Sequence, residues 1–117
     1  MTRTHEWHDL TGFQRDVLLV AASLEDGEEQ VYGLAIKREL EARYGCEVNH
    51  GRLYPNLDTL VEAGFMEKSA LDRRTNEYRV TPAGASLLDV AHDEIEDARD
   101  GLDARVVADG EGTEGDA

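Results

Sequence analysis

Lysine is almost missing from this 117-residue chain. Lys37 and Lys68 are its only two, beside ten arginines, and the twelve bases face 26 acids for a formal net charge of −14. Cysteine is reduced to Cys46, which excludes an intrachain disulfide and suits a reducing interior. No apolar run approaches the roughly 18 residues needed to cross a bilayer, and the opening MTRTHEWHDL lacks the hydrophobic region of a signal peptide. A cytoplasmic protein is therefore expected. Nor is there a nucleophile, base and acid set for enzymatic work: Ser23, Ser69 and Ser86 stand outside any nucleophile motif. No enzyme and no cofactor are expected.

Acidity of this degree has two explanations. Disorder is opposed by 40% hydrophobic residues in periodic patterns. The other explanation is adaptation to high salt, and the scarcity of lysine fits it. The charge is also unevenly placed. Residues 1–31 sum to −5 and residues 82–117 to −9, whereas residues 32–81 hold eight acids and eight bases and sum to zero.

The order of elements follows from periodicity and punctuation. Thr11 and Gln14 have capping-box spacing, and Phe13, Val17, Leu18, Val20, Ala21 and Leu24 give an apolar helical face ending near Glu25. A second helix has Leu34, Ile36, Leu40 and Tyr44 as anchors and Gly45 at its C-cap. Asn49 caps a third, with Leu53, Leu57, Leu60 and Val61 on one face, Pro55 in its second turn and Gly64 at its end. Strands near 65–70 and 77–80 flank a polar turn at 72–76. Thr81-Pro82 starts a fourth helix, in which Leu88, Ala91, Ile95, Ala98 and Leu102 follow the 3,4 spacing of a helix that packs on another. The expected organisation is a mainly α fold with a small β-hairpin: a winged helix-turn-helix domain over 11–81, a dimerisation helix over 82–106 and an acidic disordered tail over 107–117.

Within this frame, YGLAIKREL (32–40), GRLYPNLDTLVEAGFMEKS (51–69) and RRTNEYRVTPAGASLL (73–88) resemble the PadR family of winged-helix transcriptional regulators. The shared motifs are the Tyr-Gly opening the second helix, Gly-x-Leu-Tyr-Pro-x-Leu-x-x-Leu in the recognition helix, Gly-Phe entering the wing and Tyr-x-Val-Thr-Pro-x-Gly leaving it. The resemblance covers roughly 11–88, and the acidity resembles that of haloarchaeal members. The resemblance implies a homodimer on inverted-repeat operators, with the partner of the 3,4 seam being the second subunit. Trp7 and Phe13 are candidates to pack beside that seam.

Taking Leu53, Leu57 and Leu60 as inward-facing assigns Arg52, Asn56 and Thr59 to the outward side of the third helix. Arg52 suits guanine and Asn56 adenine. Asn49, His50 and Gly51 offer backbone donors and short side chains to a phosphate. Tyr54 either contacts the DNA backbone or is half-buried. Arg73, Arg74 and Asn76 flank the wing tip, placed for a minor groove or phosphates. Lys37 and Arg38 are either phosphate contacts or solvated helix charges. His5, His8, His50 and His92 lack any metal-ligand spacing, and His5 and His8 lie near an end expected to be flexible, so no metal site is expected. Cys46, with Glu47 beside it, is expected to be a buried small residue rather than a redox-sensing thiol.

The partner is thus double-stranded DNA, with cations bridging phosphates to carboxylates such as Asp58 or Asp72, because molar salt shrinks the Debye length to about 3 Å and hides distant acids. The alternative is a winged-helix protein–protein module in which the wing arginines form salt bridges.

Overall fold

A helical segment that the periodicity does not announce opens the chain. The computed structural model describes residues 3–27, 30–70, 72 and 75–113, with backbone alone for 3–5 and 107–113. Its elements are α1 (Arg3–Asp9), α2 (Gly12–Gly27), α3 (Gly33–Tyr44), α4 (His50–Glu62), β1 (Met66–Ala70), β2 (Asn76–Val80) and α5 (Pro82–Thr113). α1 corrects the expectation of a flexible start. Trp7 and Leu10 pack on the edge of the core, and α1 lies along α5, where His8 Nε2 meets Glu94 Oε2 at 2.9 Å. Tertiary contact, rather than propensity, holds so short a helix. The side chain of His5 lies outside the described residues.

Among the described residues, sixteen buried side chains form one core between α2, α3, α4, the hairpin and the start of α5. The expected face of α2 is correct, with five residues buried and Leu24 at the edge. Its capping box is present: the Thr11 N–H donates to Gln14 Oε1 at 3.0 Å and the Gln14 N–H to Thr11 Oγ1 at 3.1 Å. α3 buries Ile36 and Leu40. Leu34 and Tyr44, expected as anchors, are instead 48% and 38% exposed. They stand at the two ends of a 12-residue helix, where Leu34 faces outward and the Tyr44 ring only flanks the core at Phe13.

Between α3 and α4 runs a turn shaped by Gly45, which adopts the left-handed φ of 74° and returns its N–H to Glu41 O. Glu41 then clamps the turn. Its Oε2 accepts from Lys37 Nζ at 2.8 Å and from the Val48 N–H at 2.9 Å, and these two bonds hold the carboxyl below its ordinary value of 4.5. Cys46 lies in this surface turn and is exposed, which corrects the expectation of burial. One residue past the helix cap, the chain is on the outside of the fold.

β1 and β2 pair antiparallel with Met66 opposite Val80 and Ala70 opposite Asn76. Asp72 turns the tip by accepting the Thr75 N–H at 2.8 Å. β2 is pinned from outside the hairpin as well: the Tyr78 N–H donates to Val31 O, and the Val80 N–H to Glu25 Oε2. Thr81 caps α5 by accepting the Gly84 N–H, and its hydroxyl donates to Gly64 O. α5 then passes the boundary expected at 106 and reaches Thr113, since no proline interrupts it and extending a formed helix is far easier than nucleating one. Residues 114–117, the rest of the expected tail, lie outside the described residues.

Two glycines let elements meet without a side chain between them. A Cβ on Gly33 would fall 2.7 Å from the Tyr54 hydroxyl, and one on Gly84 would fall 2.3 Å from Phe65 O. A tyrosine ring can swing aside, but the backbone carbonyl at the root of the hairpin cannot. Gly84→Ala is therefore expected to destabilise the fold by about 1–3 kcal/mol through overpacking, outweighing a helix-propensity gain of at most about 1 kcal/mol. Thermal unfolding in fixed KCl checks it, and an unchanged midpoint would refute the close contact.

Glu41 generates a pH prediction. Because its folded pKa is depressed, its stabilisation is present above pH 4.5 and is lost as the pH falls through the lower folded value. Glu41→Gln should lower the unfolding midpoint at neutral pH and flatten the acid side of the stability curve. Wild type and variant losing stability in parallel below pH 4.5 would mean the clamp contributes nothing.

Candidate nucleic-acid interface

α4 is the recognition helix by position, second in the helix-turn-helix and immediately before the wing. Asn49 caps it through Oδ1, which accepts the Gly51 N–H at 2.6 Å, and its carbonyl takes the Arg52 and Leu53 N–H groups. The N–H groups of Gly51 and Arg52 are thus engaged inside the cap rather than held out to a phosphate. Leu53, Leu57 and Leu60 are fully buried and fix the rotation of the helix.

That rotation corrects the expected outward face. At roughly 100° per residue, Asn56 lies only about 65° from the axis of the three leucines, and Arg52 about 105°. The residues opposite the leucines are Gly51, Pro55, Asp58 and Glu62, all exposed, with Thr59 beside them. Asn56 is half-buried against α2: its Oδ1 accepts from Gln14 Nε2 at 2.9 Å and its Nδ2 donates to Arg52 O at 2.7 Å. Arg52 remains exposed but lies flat over Phe13, with its guanidinium carbon 3.9 Å from the ring centroid. Thr59 turns its hydroxyl back to Pro55 O.

Phe13 is buried within the chain, between Arg52 and the Tyr44 ring, rather than offered beside the α5 seam as expected. Tyr44 closes the same corner by donating its hydroxyl to Asp16, and burial together with that bond pushes Tyr44 up to about 12. Trp7 does lie beside α5. With Leu19, Leu88, Ala91, His92 and Ile95 it lines a groove of about 450 Å³. Further along α5, Ile95 and Leu102 are exposed, as is Ala98. His92, Asp93 and Glu96 gather on the exposed surface of α5.

On the other flank of α4, Tyr54 is half-buried beside Gly33, and the His50 ring lies 4.2 Å from its ring. Tyr54 forms part of a cleft of about 620 Å³ with Tyr32, Leu34, Arg38 and Asn76, joining the start of α3 to the wing. Tyr78 lies at its floor. Burial, with Asp58 and Tyr54 near, pushes its hydroxyl up to about 12. Arg38 is exposed at the cleft and forms no ion pair among the described residues, whereas Lys37 is held by Glu41, Arg43 by Glu39 and Lys68 by Asp58. Arg73 and Arg74 lie outside the described residues. Gln14 is the contributor that sequence reasoning missed; a full helical wheel takes Asn56 off the outward face, but only the packing of α2 names its partner.

Residues 22–90 match the Transcriptional regulator PadR-like family. The chain is 33% identical over 72 residues to the transcriptional activator GvpE2 of Halobacterium salinarum, a match covering 62% of this chain and 35% of that protein, so it spans about a third of the length of that curated relative. RosR of H. salinarum, in a structure grown from NaBr, shares 49% identity over 89% of this chain and 96% of its own, with a TM-score of 0.65. The complex structure of hsRosR-S4 shares 46% over 97% of this chain and all of its own, with a TM-score of 0.70. With the family matched over more than half its length and the winged helix in place, the chain belongs to the PadR-like family and is a transcriptional regulator rather than an enzyme.

Proposed function

We propose that this regulator acts in the cytoplasm as a homodimer on inverted-repeat operators in double-stranded DNA, in a medium of high salt. The observation that carries the reading is the separation of charge: residues 32–81, which hold α3, α4 and the wing, sum to zero in a chain of −14. Arg52, Arg38 and Asn76 lie on α4, α3 and the wing, with Arg73 and Arg74 in sequence at the wing tip. Arg52, preset by its stack on Phe13, suits a guanine edge. His50, Asn49, Thr59 and Lys37 contribute to the surround, the last only if Glu41 releases it.

A homodimer doubles the net charge, and at low ionic strength such a body is repelled by DNA. Molar salt screens the acids of α5 but spares contacts made within about 3 Å. Asp58, exposed on the outer face of α4, is where a cation would bridge to phosphate. Ordinary counterion release weakens binding with salt; here affinity should hold level or rise.

The dimer seam is α5, whose exposed Ile95 and Leu102 and half-buried Leu88 and Ala91 await a second copy, with Trp7 beside them and Ala98 between. Ile95→Asp should yield monomers by light scattering; a variant that stays dimeric moves the interface elsewhere.

Fragmented genomic DNA captured at low and at molar KCl, then sequenced, tests the whole reading. Enrichment of an inverted repeat at high salt is expected. Binding that falls by decades toward molar KCl would remove the bridging cations, and no enrichment at either salt would remove DNA as the partner.

A further inference from the structure

Three hydrogen bonds through two side-chain amides form a directional chain between α2 and the recognition helix. It starts at the Thr11 N–H, which can only donate, and so fixes oxygen at Gln14 Oε1, 3.0 Å away. Gln14 must then present its nitrogen to α4, and Nε2 donates to Asn56 Oδ1 at 2.9 Å. Asn56 in turn directs Nδ2 to Arg52 O, which can only accept, at 2.7 Å. Both ends of the chain are backbone groups of a single polarity, so the orientation of each amide between them is determined.

We infer that Gln14 is a positioning residue for base recognition: from the capping box of α2 it fixes which edge of Asn56 faces a base. The inference rests on the DNA-binding reading above and deepens it. An asparagine amide recognises adenine by pairing its oxygen and nitrogen with complementary groups, and a flipped amide reverses the pattern it accepts. Here Asn56 keeps one lone pair on Oδ1 and one N–H on Nδ2 beyond the two bonds that hold it. Gln14 thus acts through Asn56, without itself touching DNA.

Gln14→Glu separates this role from the cap. Glutamate is itself a capping-box residue and still accepts the Thr11 N–H. It cannot donate to Asn56 Oδ1, so the Asn56 amide loses its fixed direction. Bound sequences are to be selected from a random duplex pool at molar KCl with four proteins: wild type, Gln14→Glu, Asn56→Ala and the double variant. Gln14→Glu should lose, on the order of tenfold, the preference at the same base position that Asn56→Ala loses, while still folding cooperatively with only a small drop in thermal midpoint. The double variant should lose no more than Asn56→Ala alone, because Gln14 has nothing left to position.

An unaltered preference in Gln14→Glu overturns the inference, as does an unaltered preference in Asn56→Ala. A further loss in the double variant also overturns it, since the added carboxylate would then be acting on DNA by its charge. All three results presuppose a wild type that selects a sequence; a wild type that selects none overturns the DNA-binding reading and, with it, the role of Gln14.

Discussion

Everything at the interface depends on how α4 is rotated, and three leucines set that rotation. Leu53, Leu57 and Leu60 are completely buried, and at about 1.5–3 kcal/mol each their burial matches a large part of the net stability of a small domain. No surface contact can compete with a force of that size. With the leucines inward, Asn56 has to meet α2, Arg52 has to lie across Phe13, and Pro55 and Asp58 have to face solvent. The hairpin follows too, because α4 ends where Gly64 takes the left-handed φ of 88° and feeds Phe65 and Met66 into the core.

The charge distribution acts on a different scale. Local cations near α4 are largely engaged by neighbouring acids, Lys68 with Asp58 and Lys37 with Glu41, so the fold neutralises its own middle before any partner arrives. An exposed pair such as Lys68–Asp58 adds little stability, whereas the half-buried Glu41 also holds the turn through the Val48 N–H. The consequence of these pairs is a surface of low local field, flanked by the strongly acidic α5, and the balance between these two regions is tuned by ionic strength. Arg38 and Arg52, which have no carboxylate partner among the described residues, keep their charge available at that surface.

α2 has two duties that use different faces. Val17, Leu18, Val20 and Ala21 fill the core, while Phe13 and Gln14 in its first turn support side chains of α4. The same capping box that starts the helix therefore reaches the recognition helix. Its neighbour α1 leans on α5 through Trp7 and the His8–Glu94 pair, and Arg15 donates to Trp7 O, so α2 touches both the surface proposed for the second subunit and the surface proposed for DNA.

Patterns that depend on neighbours in sequence were legible in the sequence: the α2 capping box, the Asn49 cap, the leucines of α4, the hairpin, the Thr81-Pro82 start and the family motifs, whose Gly33 and Gly84 turn out to be points of close approach to the Tyr54 ring and the Phe65 carbonyl. Caps, turns and amphipathic spacing are local, so the chain determines them by itself. The outward face of α4 was also legible in principle, since helical geometry alone places Asn56 on the flank of the helix beside the leucines rather than on its outer face. What only tertiary structure decided was the existence of α1, the exposure of Leu34, Tyr44 and Cys46, and the placing of Phe13 under Arg52. Each of these depends on which distant surface arrives beside a residue, and the energy of burial or of a stacked cation belongs to the pair, never to one residue's own stretch of chain.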